Sequence, residues 1–180
     1  MDLDDSLPRI APVLTSTQRR AAIAMLVHVF DMDPAWKRIV RWRLARALVL
    51  RVYYRRALRV ALAEGRVDMV PGPDESPLAL ALWFHPRPAA GAADVWHLEA
   101  IVVAESARGQ GLGGYLLRHA LADLDARGAI ATLDASTPDS QRLYERLGFT
   151  PTGPIPPWPW PRDLRMRREP RANDAGTAAP

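Results

Sequence analysis

The feature that most constrains this sequence is a strand that runs through a glycine-rich turn into a helix. Val95 to Ala104 is the clearest strand in the chain, and Leu112 to Arg127 repeats its apolar residues at helical spacing. Between them lies Arg108-Gly109-Gln110-Gly111-Leu112-Gly113. Free backbone N–H groups at a helix start, with the positive end of the helix dipole, hold phosphate oxygens. Gly109, Gly111 and Gly113 allow backbone angles closed to other residues and let a pyrophosphate approach the main chain, and Arg108 adds charge. The turn reads as an anion cradle; a glycine-rich turn without a ligand is the alternative.

The same residues meet a dinucleotide fingerprint, with Gly109, Gly111 and Gly114 at its spacing and Asp134 about 20 residues on. Against it, five residues separate Val103 from Gly109, whereas such a loop leaves its strand almost directly into the first glycine. Too little chain follows to wind a second mononucleotide half.

Around this centre the order of elements is legible. Arg9 to Leu14 reads as a first strand, and Thr15-Ser16-Thr17 caps a helix to about Phe30 with Ile23, Leu26, Val27 and Phe30 at helical spacing. Asp33 before Pro34 restarts a helix. Residues 35 to 63 read as one long helix or two short ones, on a stripe of Leu44, Leu48, Leu58 and Leu62. Arg51 and Arg55 interrupt the stripe, which predicts a break near Val52. Arg66 to Val70 and Leu78 to Phe84 form a hairpin across Pro71 to Pro77, and Pro86 to Asp94 is a loop. Downstream come a strand (Ala129 to Ala135), a helix (Pro138 to Leu147), a strand (Phe149 to Gly153) and a last strand (Asp163 to Glu169). One domain is expected over 1–169, with a disordered tail over 170–180.

Composition narrows the classes. No apolar run reaches the roughly 18 residues of a membrane span, the acidic start Met1 to Ser6 lacks signal-peptide character, and there is no cysteine. The expectation is a cytoplasmic protein without a thiolate nucleophile, cysteine metal site or membrane partner. A net charge of +4 and a pI near 10.1 suit a polyanionic cofactor without demanding nucleic acid. The arginines between Arg38 and Arg59 read as spread around the helix, a solvated face. His28, His85 and His119 have no metal-site spacing, so no metal is expected.

In the central strand, a period of two places His97, Glu99, Ile101 and Val103 on one face. Trp96, Leu98, Ala100 and Val102 share the other, wholly apolar and core-directed. Two ionisable groups on a central strand point to a cleft, although a histidine satisfied by a backbone partner and an ion-paired acid are the bland alternatives.

Arg108 to Gly113 resembles the signature of the GNAT superfamily of N-acetyltransferases. Ser140-Gln141-Arg142-Leu143-Tyr144-Glu145-Arg146-Leu147-Gly148-Phe149 is similar to that family's second helix and the Gly-Phe that opens its next strand. Trp96 to Phe149 and Pro161-Arg162-Asp163-Leu164-Arg165-Met166 look nearest to the puromycin N-acetyltransferase branch. The resemblance covers residues 95–168 well and the first 90 only by order of elements. It implies an α/β (α+β) GNAT fold whose mixed sheet splays between the strands at 95–104 and 129–135, with acetyl-CoA entering the gap. It further implies direct acetyl transfer to the primary amine of a small molecule, an antibiotic or metabolite, by a monomer or homodimer. A protein amine as acceptor, and a non-catalytic acyl-CoA-binding module, are the alternatives.

Amide formation from a thioester needs an uncharged amine, a stabilised oxyanion and a proton for the thiolate. The resemblance assigns Tyr144 as the acid that protonates the thiolate. Arylalkylamine-type relatives carry two histidines where His97 and Glu99 stand, which makes Glu99, with His97 helping, the candidate base. In the segment Ile101-Val102-Val103, backbone groups of Ile101 and Val103 would bind the pantetheine and polarise the acetyl carbonyl. Arg108, Gly109, Gln110, Gly111, Leu112, Gly113 and Gly114 would cradle the phosphates. Ser140, where the family often has asparagine, would touch the coenzyme. Tyr53, Tyr54, Trp158 and Trp160 fall in segments that flank the acceptor side in the family.

Overall fold

A capping box starts the first helix. The Gln18 N–H donates to Thr15 Oγ1 at 3.2 Å, and the Thr15 N–H donates back to Gln18 Oε1 at 2.8 Å, which begins α1 (Ser16–Asp31). The computed structural model describes Ile10 and residues 14–86, 91–154 and 164–171. The expected strand at 9–14 therefore falls largely outside the described residues, as do Trp158, Trp160 and most of the tail.

Asp33 caps α2 (Pro34–Ile39) by accepting from the Ala35 N–H at 2.7 Å, and α3 (Arg43–Glu64) follows. The break expected near Val52 is instead at Val40–Trp42. There Arg46 turns back, its Nε 2.7 Å from Asp31 Oδ1 and its Nη1 3.0 Å from the Val40 carbonyl, and ties the corner. The helix runs on through Arg51 and Arg55 because its buried face is Leu50, Tyr54, Ala57, Leu58 and Ala61. The expected stripe is right at Leu58 and wrong at Leu44 and Leu48, which are 89% and 65% exposed.

The strands are β1 (Arg66–Pro71), β2 (Pro77–Phe84), β3 (Val95–Val103), β4 (Ile130–Ala135), β5 (Thr150–Pro154) and β6 (Leu164–Arg168). They form one sheet in the order β1-β2-β3-β4-β6-β5, antiparallel except for β3 beside β4. The remaining helices are α4 (Leu112–Ala126) and α5 (Pro138–Arg146). α4 lays Leu112, Leu116, Leu117, Ala120, Leu121 and Leu124 on one face of the sheet, where Ala79 and Ala81 leave room for the fully buried Trp83. α1 and α3 cover the other face over Met69, Leu80 and Leu82.

β3 departs from simple alternation in a way that shapes the site. Leu82 pairs with Ala100 but Trp83 pairs with Leu98, so Glu99 is an extra residue, a β-bulge. Trp96 and Leu98 point to the α4 side, while Ala100 and Val102 point to the α1/α3 side. The single apolar face expected from a strict period of two is thus two half-faces that exchange at Glu99. A bulge cannot be seen in one strand's pattern because it is a mismatch with the neighbour.

The bulge also opens the sheet. β3 and β4 pair from Val95↔Ile130 to Leu98↔Leu133 and no further, so Glu99 to Val103 has β2 on one edge and a gap on the other. This is the expected splay.

A buried ion pair fastens the far edge. Arg168, 4% exposed, meets Asp125, 14% exposed, through two hydrogen bonds of 2.6 and 2.7 Å. Asp125→Asn strands a buried guanidinium and is expected to cost about 3 to 5 kcal/mol, read as a lower urea midpoint with unchanged slope.

Candidate active site

The gap between β3 and β4 is a cleft of about 450 Å³, a size suited to part of a small ligand. Its walls are Leu98, Glu99, Ala100, Ile101 and Val103 of β3, Asp134 and Ser136 at the end of β4, Ser140, Leu143 and Tyr144 of α5, and Gly113 of α4. The α1–α2 turn closes the remaining side with Phe30, Met32 and Asp33, and the Ser136 hydroxyl reaches across to Asp33 Oδ2 at 3.2 Å.

Backbone parity sets what β3 offers. The Ala104 N–H donates to the Leu78 carbonyl at 2.8 Å, so residues 104, 102 and 100 bond to β2 and the N–H and C=O of Ile101 and Val103 point into the gap. Val102, expected at the coenzyme site, is turned away: its backbone faces β2 and its side chain lies in the α1/α3 core.

The glycine turn leaves the strand through one 3₁₀ turn, Glu105–Ala107, and Gly109 and Gly111 both have positive φ, 77° and 78°. A Cβ at either would meet nothing within 4 Å, so glycine is required there by φ and not by space. Gly111→Ala is expected to destabilise by about 1 to 2 kcal/mol, read as a lower Tm. No side chain caps α4, and its first backbone bond runs from the Tyr115 N–H to the Gly111 carbonyl at 2.9 Å. The N–H groups of Leu112, Gly113 and Gly114 therefore face outward without an intrahelical acceptor. Gly113 sits over β3, its Cβ position 3.5 Å from Val103 Cγ2. Arg108 lies 3.6 Å from Glu105, and Gln110 donates to the Ser106 carbonyl at 3.3 Å, so both side chains brace the turn.

Glu99 lines the cleft and accepts a short hydrogen bond from the Tyr53 hydroxyl of α3. Burial raises its carboxyl above the ordinary range; the Tyr53 bond opposes this and the Asp134 charge adds to it. Burial and the Glu99 charge push the Tyr53 phenol far upward, so it stays a neutral donor. Tyr53→Phe is expected to move Glu99 further up and to shift the acid limb of a pH–rate profile to higher pH.

His97 is not among the lining residues. Its Nδ1 is 3.1 Å from Thr132 Oγ1, which donates its own hydrogen to the Trp96 carbonyl at 3.2 Å. Burial, with Arg165 adding and Asp134 opposing, lowers the His97 pKa and keeps the ring neutral near neutral pH. His97 and Glu99 share a side of the sheet, as expected.

Thr137 caps α5 and Pro138 opens it. Tyr144 sits two turns along, 6% exposed, its ring edge-on to Phe149 at 6.0 Å, and burial pushes its phenol up to about 12. The Ser140 hydroxyl is committed to the cap, donating to the Thr137 carbonyl at 2.8 Å. It lines the cleft with that hydrogen already spent.

Three cleft features went unread at sequence level. Asp134, noticed only as a dinucleotide-type acid, is a wall residue braced by Arg165 at 3.0 Å. Asp33, read as a cap, also holds Ser136. Tyr53, read as pocket wall, holds Glu99. In each case the partner is distant in sequence, so no local pattern signals it. Among the described residues no cluster of His, Cys, Asp or Glu is arranged to hold a metal, and no helix is long and apolar enough to cross a membrane.

Comparison with known proteins agrees with this geometry. Residues 72–149 match the sequence model of the Acetyltransferase (GNAT) family. Acetyltransferase Atu2258 of Agrobacterium fabrum is 39% identical over 62 residues, which are 34% of this chain and 45% of that protein's length. A structure described as histone acetyltransferase HPA2 and related acetyltransferase, from Corynebacterium glutamicum, superposes with a TM-score of 0.75 at 26% identity, covering 93% of this chain and 98% of its own. The ribosomal-protein-S18-alanine N-acetyltransferase of Escherichia coli shares the fold, with a TM-score of 0.59 at 21% identity over 97% of this chain and 99% of its own. The splayed six-stranded sheet with its flanking helices is the GNAT acyltransferase fold.

Proposed function

We propose that this chain, an acyltransferase of GNAT type by family match and fold, transfers the acetyl group of acetyl-CoA directly to a primary amine within the β3–β4 cleft. One observation carries this: the cleft joins an uncapped helix start, free strand N–H groups, a base and a phenol in one continuous space.

Acetyl-CoA supplies an acyl carbon already activated as a thioester. The Gly109–Gly114 turn fits its diphosphate, since positive φ at two glycines and the outward N–H groups of α4 make a concave donor surface. Ile101 and Val103 offer N–H groups to the pantetheine amide and to the negative charge that develops on the acyl oxygen. Glu99 takes the amine proton through water as nitrogen bonds to the acyl carbon; His97, expected to help, lies outside the cleft lining. Tyr144 gives its phenol proton to the sulfur as the carbon–sulfur bond breaks, then regains one from solvent. No cysteine is present to carry an acetyl group, and transfer within a ternary complex needs no covalent enzyme intermediate.

The acceptor is a small cationic amine in solution. Asp33, Glu99 and Asp134 give the acceptor end negative charge, and Phe30 adds an apolar wall. Likeness of 96–149 and 161–166 to the puromycin N-acetyltransferase branch makes an antibiotic or metabolite amine the first candidate. Thiol release from acetyl-CoA across a panel of small amines and peptide N-termini tests this. Turnover confined to peptides would replace the small-molecule acceptor with a protein one, and thiol release with no amine would leave no acetyltransferase.

A further inference from the structure

We propose that the groove between α1 and α3 is a second ligand site, one that binds a compact polyphosphate anion. Two adjoining hollows of about 400 and 440 Å³ lie there, sharing Arg19, Ile23 and Arg55. Arg20 and Arg51 add to one, and Arg59 to the other, so five arginines line one groove. Among the described residues neither hollow is lined by a carboxylate.

Sequence reading took the α3 arginines as scattered. Arg51, Arg55 and Arg59 in fact recur every four residues, about 6 Å apart along the helix axis, and face Arg19 and Arg20 across the groove. By contrast, Arg46 is paired with Asp31 and Arg168 with Asp125. In the groove, Arg19 donates to the Leu14 carbonyl at 3.1 Å, and among the described residues no acid lines it beside the others. Like charges held together without counter-charge favour a multivalent anion, and guanidinium forks match phosphate oxygens two at a time. Ile23, Ala24, Leu58 and Leu62 line the groove between the arginines. Confinement between two helices and the volume favour a compact ligand over a polymer. The groove shares no lining residue with the catalytic cleft, so this site stands whether or not acetyl transfer is established.

The test is calorimetric titration of the full chain with inorganic tripolyphosphate at physiological salt. Wild type is expected to bind, and Arg55→Ala or Arg59→Ala to weaken binding about tenfold or more. Arg55→Lys, which keeps the charge, should retain part of it, and Arg41→Ala, outside the groove, should change nothing. Absence of heat in wild type overturns the proposal. So does binding unchanged by Arg55→Ala and Arg59→Ala, which places the anion elsewhere. Tighter binding of a single-stranded oligonucleotide through the same arginines overturns the compact ligand in favour of nucleic acid.

Discussion

Replacing Tyr144 with phenylalanine is expected to lower turnover by about two to four orders of magnitude while coenzyme A binds as before. The phenol is buried, held near 12, and lines the cleft beside β3. The phenol is protonated at neutral pH, so it has a proton to give to the departing sulfur. Phe preserves the ring and its edge-on packing with Phe149, so the fold should be unaffected. Calorimetry with coenzyme A and thiol release with acetyl-CoA separate the two effects. Unchanged turnover would remove Tyr144 from the chemistry, and lost binding with lost turnover would make it a packing residue.

Glu99→Gln is the second large effect, again about two to four orders of magnitude in kcat/KM. In wild type the rate should rise with pH through the raised carboxyl of Glu99, because only the ionised form accepts a proton; the variant should lose that limb. Stability should move the other way. A folded pKa above the unfolded one contributes stability that is complete below the unfolded value and lost as pH rises through the folded one. At neutral pH wild type therefore keeps a desolvated carboxylate at some cost, which Gln relieves. A higher Tm together with a lower rate is the expected signature. A variant that loses stability as well as rate would mark Glu99 as a structural residue of the bulge.

Why Glu99 stands where it does was only half legible beforehand. Period-two alternation was enough to find β3 and to group His97 with Glu99. It could not show that Leu82 and Trp83 face Ala100 and Leu98 with Glu99 left over. That mismatch sends Ala100 and Val102 to the α1/α3 core, turns Ile101 and Val103 toward α4 and ends the pairing with β4. The cap of α5 was legible because Thr137, Pro138 and Ser140 are close in sequence. The break between α2 and α3 was not, because it depends on Arg46 reaching Asp31, fifteen positions away. Nor was the α1–α3 arginine groove, since half of it comes from another helix.

The most direct measurement for the cleft is an amide NMR titration of the chain with coenzyme A. Shifts concentrated at Gly109 to Gly114 and at Ile101 and Val103, with little change along α1 and α3, are the predicted result. Shifts absent from both stretches at saturating coenzyme, or confined to the arginine groove, would contradict acyl transfer through the gap between β3 and β4.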